Sequence, residues 1–403
     1  MADSFTETTT TSWGSRIMNS IKGVLFGFVL MIAAAVVMFW NEGRTINTAK
    51  TLEEGAAAVV TVPSETVNAA NEGKLVHMTG KAATDEMLTD SVFGVSAKAC
   101  RLKREVQMYQ WQEHSKTETR KKLGGGEEKT RTYTHDRAWV SHLVDSESFK
   151  HPDGHANPSA MPFEDFAADA SAVTVGGFAL TGEQVRQMSN FTVLPVTRET
   201  LARLGDDLRP RIRLDGAMLY VQAALPAAAT SAPATMPAAA PVAVGDARIA
   251  FKAVQPGEIS LVAKQAGSTF QPYVAKTGSK ILLLTAGSHS AAEMFQSKMD
   301  SNTLMAWLLR LGGVVAMTIG AALILAPLKT VADVVPMLGS LVAMGTGIVA
   351  IAVALPLSLL VIAIGWLVYR PVIGILLLAG GVAIFVLLKK MAGKKKQAAT
   401  VAA

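Results

Sequence analysis

Hydrophobic positions along this chain gather into two long blocks, with a patterned polar region between them. The larger block runs from 305 to 390. It ends on Lys389-Lys390, and inside it only Arg310, Lys329, Asp333 and Arg370 carry charge. About 20 helical residues cross the roughly 30 Å of bilayer hydrocarbon, so the block predicts three crossings, at 305–327, 337–368 and 371–389. A fourth crossing lies far upstream, at 21–40. It ends in Phe39-Trp40-Asn41-Glu42 rather than in small residues, which marks an uncleaved span with Trp40 at the interface. The region 337–368 is overlong, and Pro356 near its middle is expected to bend it or to divide an interfacial piece from the span.

Between the blocks the period shortens to that of strands. Lys74 to Gly80 is a short apolar run. Val106, Met108 and Gln110 alternate with Gln107, Tyr109 and Trp111, and Thr132 to Val140 reads as a return strand. The charged stretch Ser115–Thr130, centred on Gly124-Gly125-Gly126, is expected to be the solvated tip of this hairpin. Further strands are expected at 247–254, 258–264 and 279–284. Thr181-Gly-Glu-Gln184 and Ser290-Ala-Ala-Glu293 have capping-box spacing, the second before a helix 291–302 that leads towards the span at 305. A short helix at 199–204 ends at Gly205. Residues 45–60 either continue the first helix or form a stalk. The Ala/Pro-rich stretch 225–244 is a flexible linker, and 1–20 is a disordered tail.

Composition changes this picture little. Half the residues are hydrophobic, and the mean hydropathy of +0.31 exceeds that of ordinary soluble chains because of the two blocks. The net charge of +6 owes much to Lys389, Lys390, Lys394, Lys395 and Lys396, which is a topology signal beside anionic lipid rather than a nucleic-acid patch. With Arg16 and Lys22 before the first span, the positive-inside rule puts both termini in the cytoplasm and 41–304 outside it. The single cysteine, Cys100, rules out disulfides within the chain and Cys-based zinc sites.

Motifs for chemistry are sparse. His151-Pro-Asp-Gly-His155 has two histidines four apart, but Pro152 and Gly154 make it a turn, and no metal or cofactor site is expected. There is no Gly-x-Ser-x-Gly elbow and no phosphate loop. Tyr109, Trp111, Tyr133 and Trp139 read as cross-strand packing. Arg310 lies one turn into its span without an acidic partner in any span, and is expected to snorkel to the outer interface. Gly312-Gly313, Gly339, Gly345, Gly347 and Gly380-Gly381 allow close helix approach.

A set of short motifs, in order, resembles the LUMA (transmembrane protein 43) family. They are Asn41-Glu42-Gly43-Arg44, Asn71-Glu72-Gly73 with His77, Tyr109 with Trp111, and Asn157-Pro158. Gly245-Asp246, Ser301-Asn302, Trp307 with Arg310, and Trp366 with Tyr369-Arg370-Pro371 complete it. The resemblance covers 21–390. It implies one N-terminal span, a large lumenal domain and three C-terminal spans, in a membrane-organising protein whose animal member self-associates and has lamin and emerin partners. It carries no catalytic residues. The Ala/Pro linker, the Ala-rich composition and Pro356 depart from the animal pattern and point to a bacterial chain without a lamina.

The expected molecule is therefore an α+β membrane protein with four transmembrane helices, one N-terminal and three C-terminal, bracketing a large β-rich extracytoplasmic domain. Expected partners are membrane lipid, further copies of the chain and other membrane proteins, and no nucleic acid. The expected function is a non-enzymatic, self-associating scaffold of the bacterial inner membrane with 41–304 periplasmic, or of the endoplasmic reticulum or nuclear envelope in a eukaryote. A transporter or channel component and a membrane-tethered envelope hydrolase are the rival readings.

Overall fold

The computed structural model describes residues 4–202, 204–205, 208–223, 241–372 and 374–376. The chain forms two compact units. One comprises 1–8, 53–118 and 130–296, and the other 9–52, 119–129 and 297–403.

The β-rich unit is built from short strands around two apolar cores. In chain order they begin with β1 (Ser4–Thr11), β2 (Val60–Thr61), β3 (Leu75–Ala83), β4 (Met87–Asp90) and β5 (Val95–Lys98). The long pair β6 (Arg101–Lys121) and β7 (Glu127–Val140) follows, then β8 (Phe166–Asp169), β9 (Val173–Val175), β10 (Phe178–Leu180) and β11 (Thr192–Leu194). The series closes with β12 (Ile212–Asp215), β13 (Met218–Val221), β14 (Ala247–Val254), β15 (Gly257–Ala266), β16 (Thr269–Gln271), β17 (Tyr273–Val274), β18 (Lys280–Ile281) and β19 (Leu283–Ala286).

One sheet has the order β1-β7-β6-β14-β13-β12, with β8 and β11 added at β6 and β14. The other has the order β10-β9-β3-β15-β16, with β19 on β15 and β2 on β3. The alternation read at Val106, Met108 and Gln110 is borne out: these side chains are buried, while Gln107, Tyr109 and Trp111 are half-exposed. One core joins Val76 and Met78 of β3 and Ile259 and Leu261 of β15 with Leu102, Ala253 and Val254 of the other sheet. A second gathers Val106, Leu219, Ile249 and Phe251 beside Phe93.

Both capping boxes form. Thr181 and Gln184 cap the short helix α2 (Gly182–Gln187) reciprocally. Ser290 Oγ accepts from Glu293 N at 3.2 Å, while Ser290 N donates to Glu293 Oε2 at 2.7 Å. The expected helix at 199–204 is α3 (Arg198–Ala202).

Among the described residues three helices are long and apolar enough to cross a membrane, and most of each lies in the second unit. They are α1 (Trp13–Ala58), which takes up the stretch 45–58, α4 (Ala291–Ala332) and α5 (Pro336–Tyr369). The fourth expected crossing, 371–389, lies mostly outside the described residues, as do the lysines at 389–396 and most of the linker 225–244. α1 and α4 pack closely. A Cβ on Gly27 would meet the Gly320 carbonyl at 2.6 Å, and one on Gly313 would run into the Met38 side chain. Met38, Ala34, Met317 and Ala354 form the small core where α5 joins them.

Three expectations are corrected. Of the two alternatives for Pro356, division of the third region falls, because α5 runs unbroken from Pro336 to Tyr369 with Pro356 inside it. At 1.5 Å per residue this helix is about 51 Å long, more than the hydrocarbon requires, and a helix of that length absorbs one missing N–H bond. Residues 4–11 are not a free tail, since β1 pairs with β7 as the outer strand of the first sheet. The stretch 115–130 is not a loop throughout. Strand β6 runs to Lys121 and β7 starts at Glu127, which leaves a short tip whose Gly124 and Gly125 have φ of +85° and +80°.

Candidate functional site: a buried carboxylate among three helices

The first helix passes from apolar to polar at Trp40-Asn41-Glu42, and the side chain of Glu42 is only 1% exposed. A carboxylate taken from water costs several kcal/mol unless it is paired and hydrogen-bonded. Glu42 is both. Arg310 of α4 donates from Nε to Oε1 at 2.7 Å and from Nη2 to Oε2 at 2.8 Å, the two-pronged geometry that suits guanidinium to carboxylate. Trp366 of α5 donates its indole N–H to Oε2 at 2.8 Å. The guanidinium also lies over the rings of Trp307, at 4.9 Å, and Trp366, at 5.8 Å. Trp307 and Arg310 are three apart on α4, so both project from one face.

The surrounding residues make this approach feasible. A Cβ on Gly365 would come within 2.8 Å of Glu42 Cγ, and one on Gly43 would fall 2.6 Å from Tyr369 Cζ. Asn41 donates to the Ala306 carbonyl at 3.2 Å. Arg44 donates to Asn302 Oδ1 at 3.2 Å, and Asn302 returns a bond to the Thr45 carbonyl at 2.9 Å. Arg370 closes α5 with its backbone N–H on the Trp366 carbonyl, and helix resumes at Pro371. Arg310 is thus not a snorkelling residue without an acidic partner. Its partner escaped the sequence reading because Glu42 stands just past the first span. The signal was the antiparallel course of α1 and α4, which brings the end of the one to the depth of the beginning of the other.

A second charged cluster lies at the opposite ends of these helices. Asp333, between α4 and α5, has a fully buried side chain that accepts from Arg16 Nη2 at 2.6 Å and Lys121 Nζ at 2.5 Å. Arg16 also pairs with Glu127 at 3.1 Å and donates to the Gly125 carbonyl at 2.6 Å, while Trp13 donates to the Thr330 carbonyl at 3.0 Å. Burial works to raise the pKa of Asp333. The hydrogen bonds and charges of Lys121 and Arg16 outweigh it, so the carboxyl titrates below its ordinary 3.8. A Cβ on Gly339 would run into Asp333, so this position needs glycine. The hairpin tip 119–129 belongs to this unit, at the Arg16 end of the bundle.

The remaining singled-out residues form separate supports in the β-rich unit. Asn71 ends a 3-10 turn, Glu72 accepts from Gly267 N at 2.8 Å, and Gly73 turns with φ of +74°. His77 of β3 is buried, with Nδ1 3.3 Å from Thr61 Oγ1 and Nε2 2.9 Å from the His289 carbonyl. Asn157 brackets Trp111, accepting from its N–H at 2.7 Å and donating to its carbonyl at 2.9 Å. Tyr109 packs on Trp139, with ring centres 5.2 Å apart. Pro158 lies against Gly245, and Asp246 accepts from Ala223 N at 2.9 Å, from Ala243 N at 2.7 Å and from the Tyr220 hydroxyl. Burial first, and then Asp246, push the Tyr220 phenol far above its usual pKa. The pair His151 and His155 is a turn, with His155 N on the Pro152 carbonyl at 3.0 Å. The His155 ring stacks on His135 at 3.9 Å, and His151 stacks on Phe5 at 5.4 Å. No group of three or more metal-ligating side chains converges among the described residues.

Residues 108–371 match the family model described as transmembrane protein 43. Human transmembrane protein 43 is 34% identical over 376 residues, covering 91% of this chain and 88% of the human protein. The mouse protein is 34% identical over 367 residues, 88% of this chain and 86% of its own length. The Drosophila melanogaster homolog is 30% identical over 369 residues, 90% and 93% respectively. No solved structure matches.

Proposed function

The chain belongs to the transmembrane protein 43 family, a family of membrane proteins, and we propose that it is a non-enzymatic scaffold that self-associates to organise a membrane region. The observation that carries this reading is the use made of Glu42 and Arg310. The ionisable groups buried at the upper end of the three helices satisfy each other and Trp366, which ties the helices together and leaves neither charge free to line a pathway. The same helices turn large apolar side chains outward, among them Leu25, Phe26, Ile32, Leu311, Ile348 and Leu359, as lipid contact requires. A conduit would in addition need polar groups facing an inner pathway.

The test is the mass of the detergent-purified particle by light scattering, with protein and detergent counted separately. A discrete multiple of the 42.5 kDa chain supports the scaffold, and a monomer at all concentrations overturns it.

We place most of the β-rich unit on the extracytoplasmic side, the periplasm in a bacterium, from the lysines at 389–396 and the positive-inside rule. The pairing of β1 with β7 speaks against a cytoplasmic position for Ser4–Thr11, as expected from Arg16 and Lys22. A Thr6→Cys variant labelled in intact cells by a membrane-impermeant thiol reagent decides between pairing and charge.

A further inference from the structure

Strand β6 is much longer than its neighbour. Its pairing with β14 covers only Arg101 to Met108. Beyond that register, Tyr109 is still engaged on the same edge, by Asp246 and Gly245, and Trp111 is engaged by Asn157. Successive peptide groups of a strand point to opposite edges, so the N–H and C=O groups of Glu113, Ser115 and Thr117 point to this same side. No strand of the described residues lies there. The side chains from His114 to Glu118 are exposed. At the opposite side of the same ribbon, β1 is the last strand of its sheet, and no strand of the described residues lies on its outer edge. β1 reads Ser-Phe-Thr-Glu-Thr-Thr-Thr-Thr, β-favouring and free of proline and lysine, the residues that ordinarily protect an edge. Lys116, which would protect the β6 edge, is neutralised within its own strand by Glu118 at 2.9 Å.

We propose that these two edges pair with each other between copies, β1 of one chain adding as a strand to the Glu113–Thr117 edge of β6 in the next. The occupant is a second copy because the same ribbon presents both unfilled edges. Edge addition of this kind uses main-chain hydrogen bonds for affinity. Because it joins two different edges, the contact is head-to-tail, and repetition closes a ring or extends a filament. The inference rests on the self-association proposed above and assigns it a surface.

The experiment co-expresses two differently tagged full-length chains, one carrying Thr6→Cys and the other Ser115→Cys, under mild oxidation. A disulfide species bearing both tags is expected, and neither variant crosslinks to itself. A Thr117→Pro variant removes an N–H that points to the free edge, so the β6–β7 ladder survives while addition is blocked. Its particle mass is expected to fall to that of the monomer. Should Thr117→Pro fail to fold, the cysteine pair alone carries the test. An oligomeric wild type with no mixed-tag disulfide and an unchanged mass in Thr117→Pro overturns the edge assignment and leaves the scaffold standing. A monomeric wild type overturns both.

Discussion

Arg310 holds Glu42 through both carboxylate oxygens, at 2.7 and 2.8 Å, although 268 positions separate the two residues in the chain. The pair sits where α1, α4 and α5 come together, and Trp366 adds a third donor at 2.8 Å. Removing one member leaves the other charged, buried and alone. Glu42→Gln and Arg310→Ala are each expected to cost about 3–5 kcal/mol, while the double variant Glu42→Leu/Arg310→Met recovers most of that loss. Thermal unfolding in detergent, followed by tryptophan fluorescence, reads all three. Equal stability of Arg310→Ala and wild type would show that the pair contributes nothing.

Glycine is required along the helices only where something packs closely against it. Gly43→Ala drives a methyl into the Tyr369 ring and Gly365→Ala drives one into Glu42, and each is expected to cost about 1–3 kcal/mol. Gly345→Ala and Gly347→Ala meet nothing within 4 Å and are expected to be neutral or slightly stabilising through better helix propensity. The contrast between the two pairs is the readout, taken in one detergent by the same unfolding assay.

Asp333 makes the hairpin tip sensitive to strong acid. Its carboxyl is held below the ordinary 3.8 in the folded chain, so the ionised form is favoured by folding. That contribution is complete above the unfolded value, and is lost as the pH falls below about 4 through the lowered folded value. Asp333→Asn is expected to loosen the tip at neutral pH, with the difference from wild type vanishing in strong acid. Hydrogen exchange at Lys122–Gly126 measures it, and a difference that grew on acidification would reverse the sign.

Asp246 organises the chain on either side of the Ala/Pro stretch. It accepts two backbone N–H bonds and the Tyr220 hydroxyl, so Asp246→Ala strands three donors and is expected to cost about 3 kcal/mol or more. Tyr220→Phe removes one donor and is expected to cost less than half as much. Proteolysis at 225–244 should accelerate in the first variant more than in the second.

Period and length alone identified the three apolar helices, most of the longer strands and both capping boxes, because these depend on residues close together in the chain. Trp13–Ala58 and Ala291–Ala332 extend the apolar runs by continuing good helix formers, and β6 extends the alternation at Val106 until Gly124 and Gly125 turn it. The motif residues were equally legible one by one, yet their grouping was not. Asn41 to Arg44, Trp307 with Arg310, and Trp366 with Tyr369 meet only because α1 and α4 run antiparallel and α5 packs at the same depth. The partnership of Asp333 with Arg16 and Lys121, and the place of Ser4–Thr11 in a sheet, were hidden for the same reason. Local sequence determines which elements form and which faces are apolar, since propensity and burial act within a few residues. Which charges neutralise one another across hundreds of positions was decided by tertiary packing, because the cost of burying an unpaired charge is imposed only once the helices have closed around it.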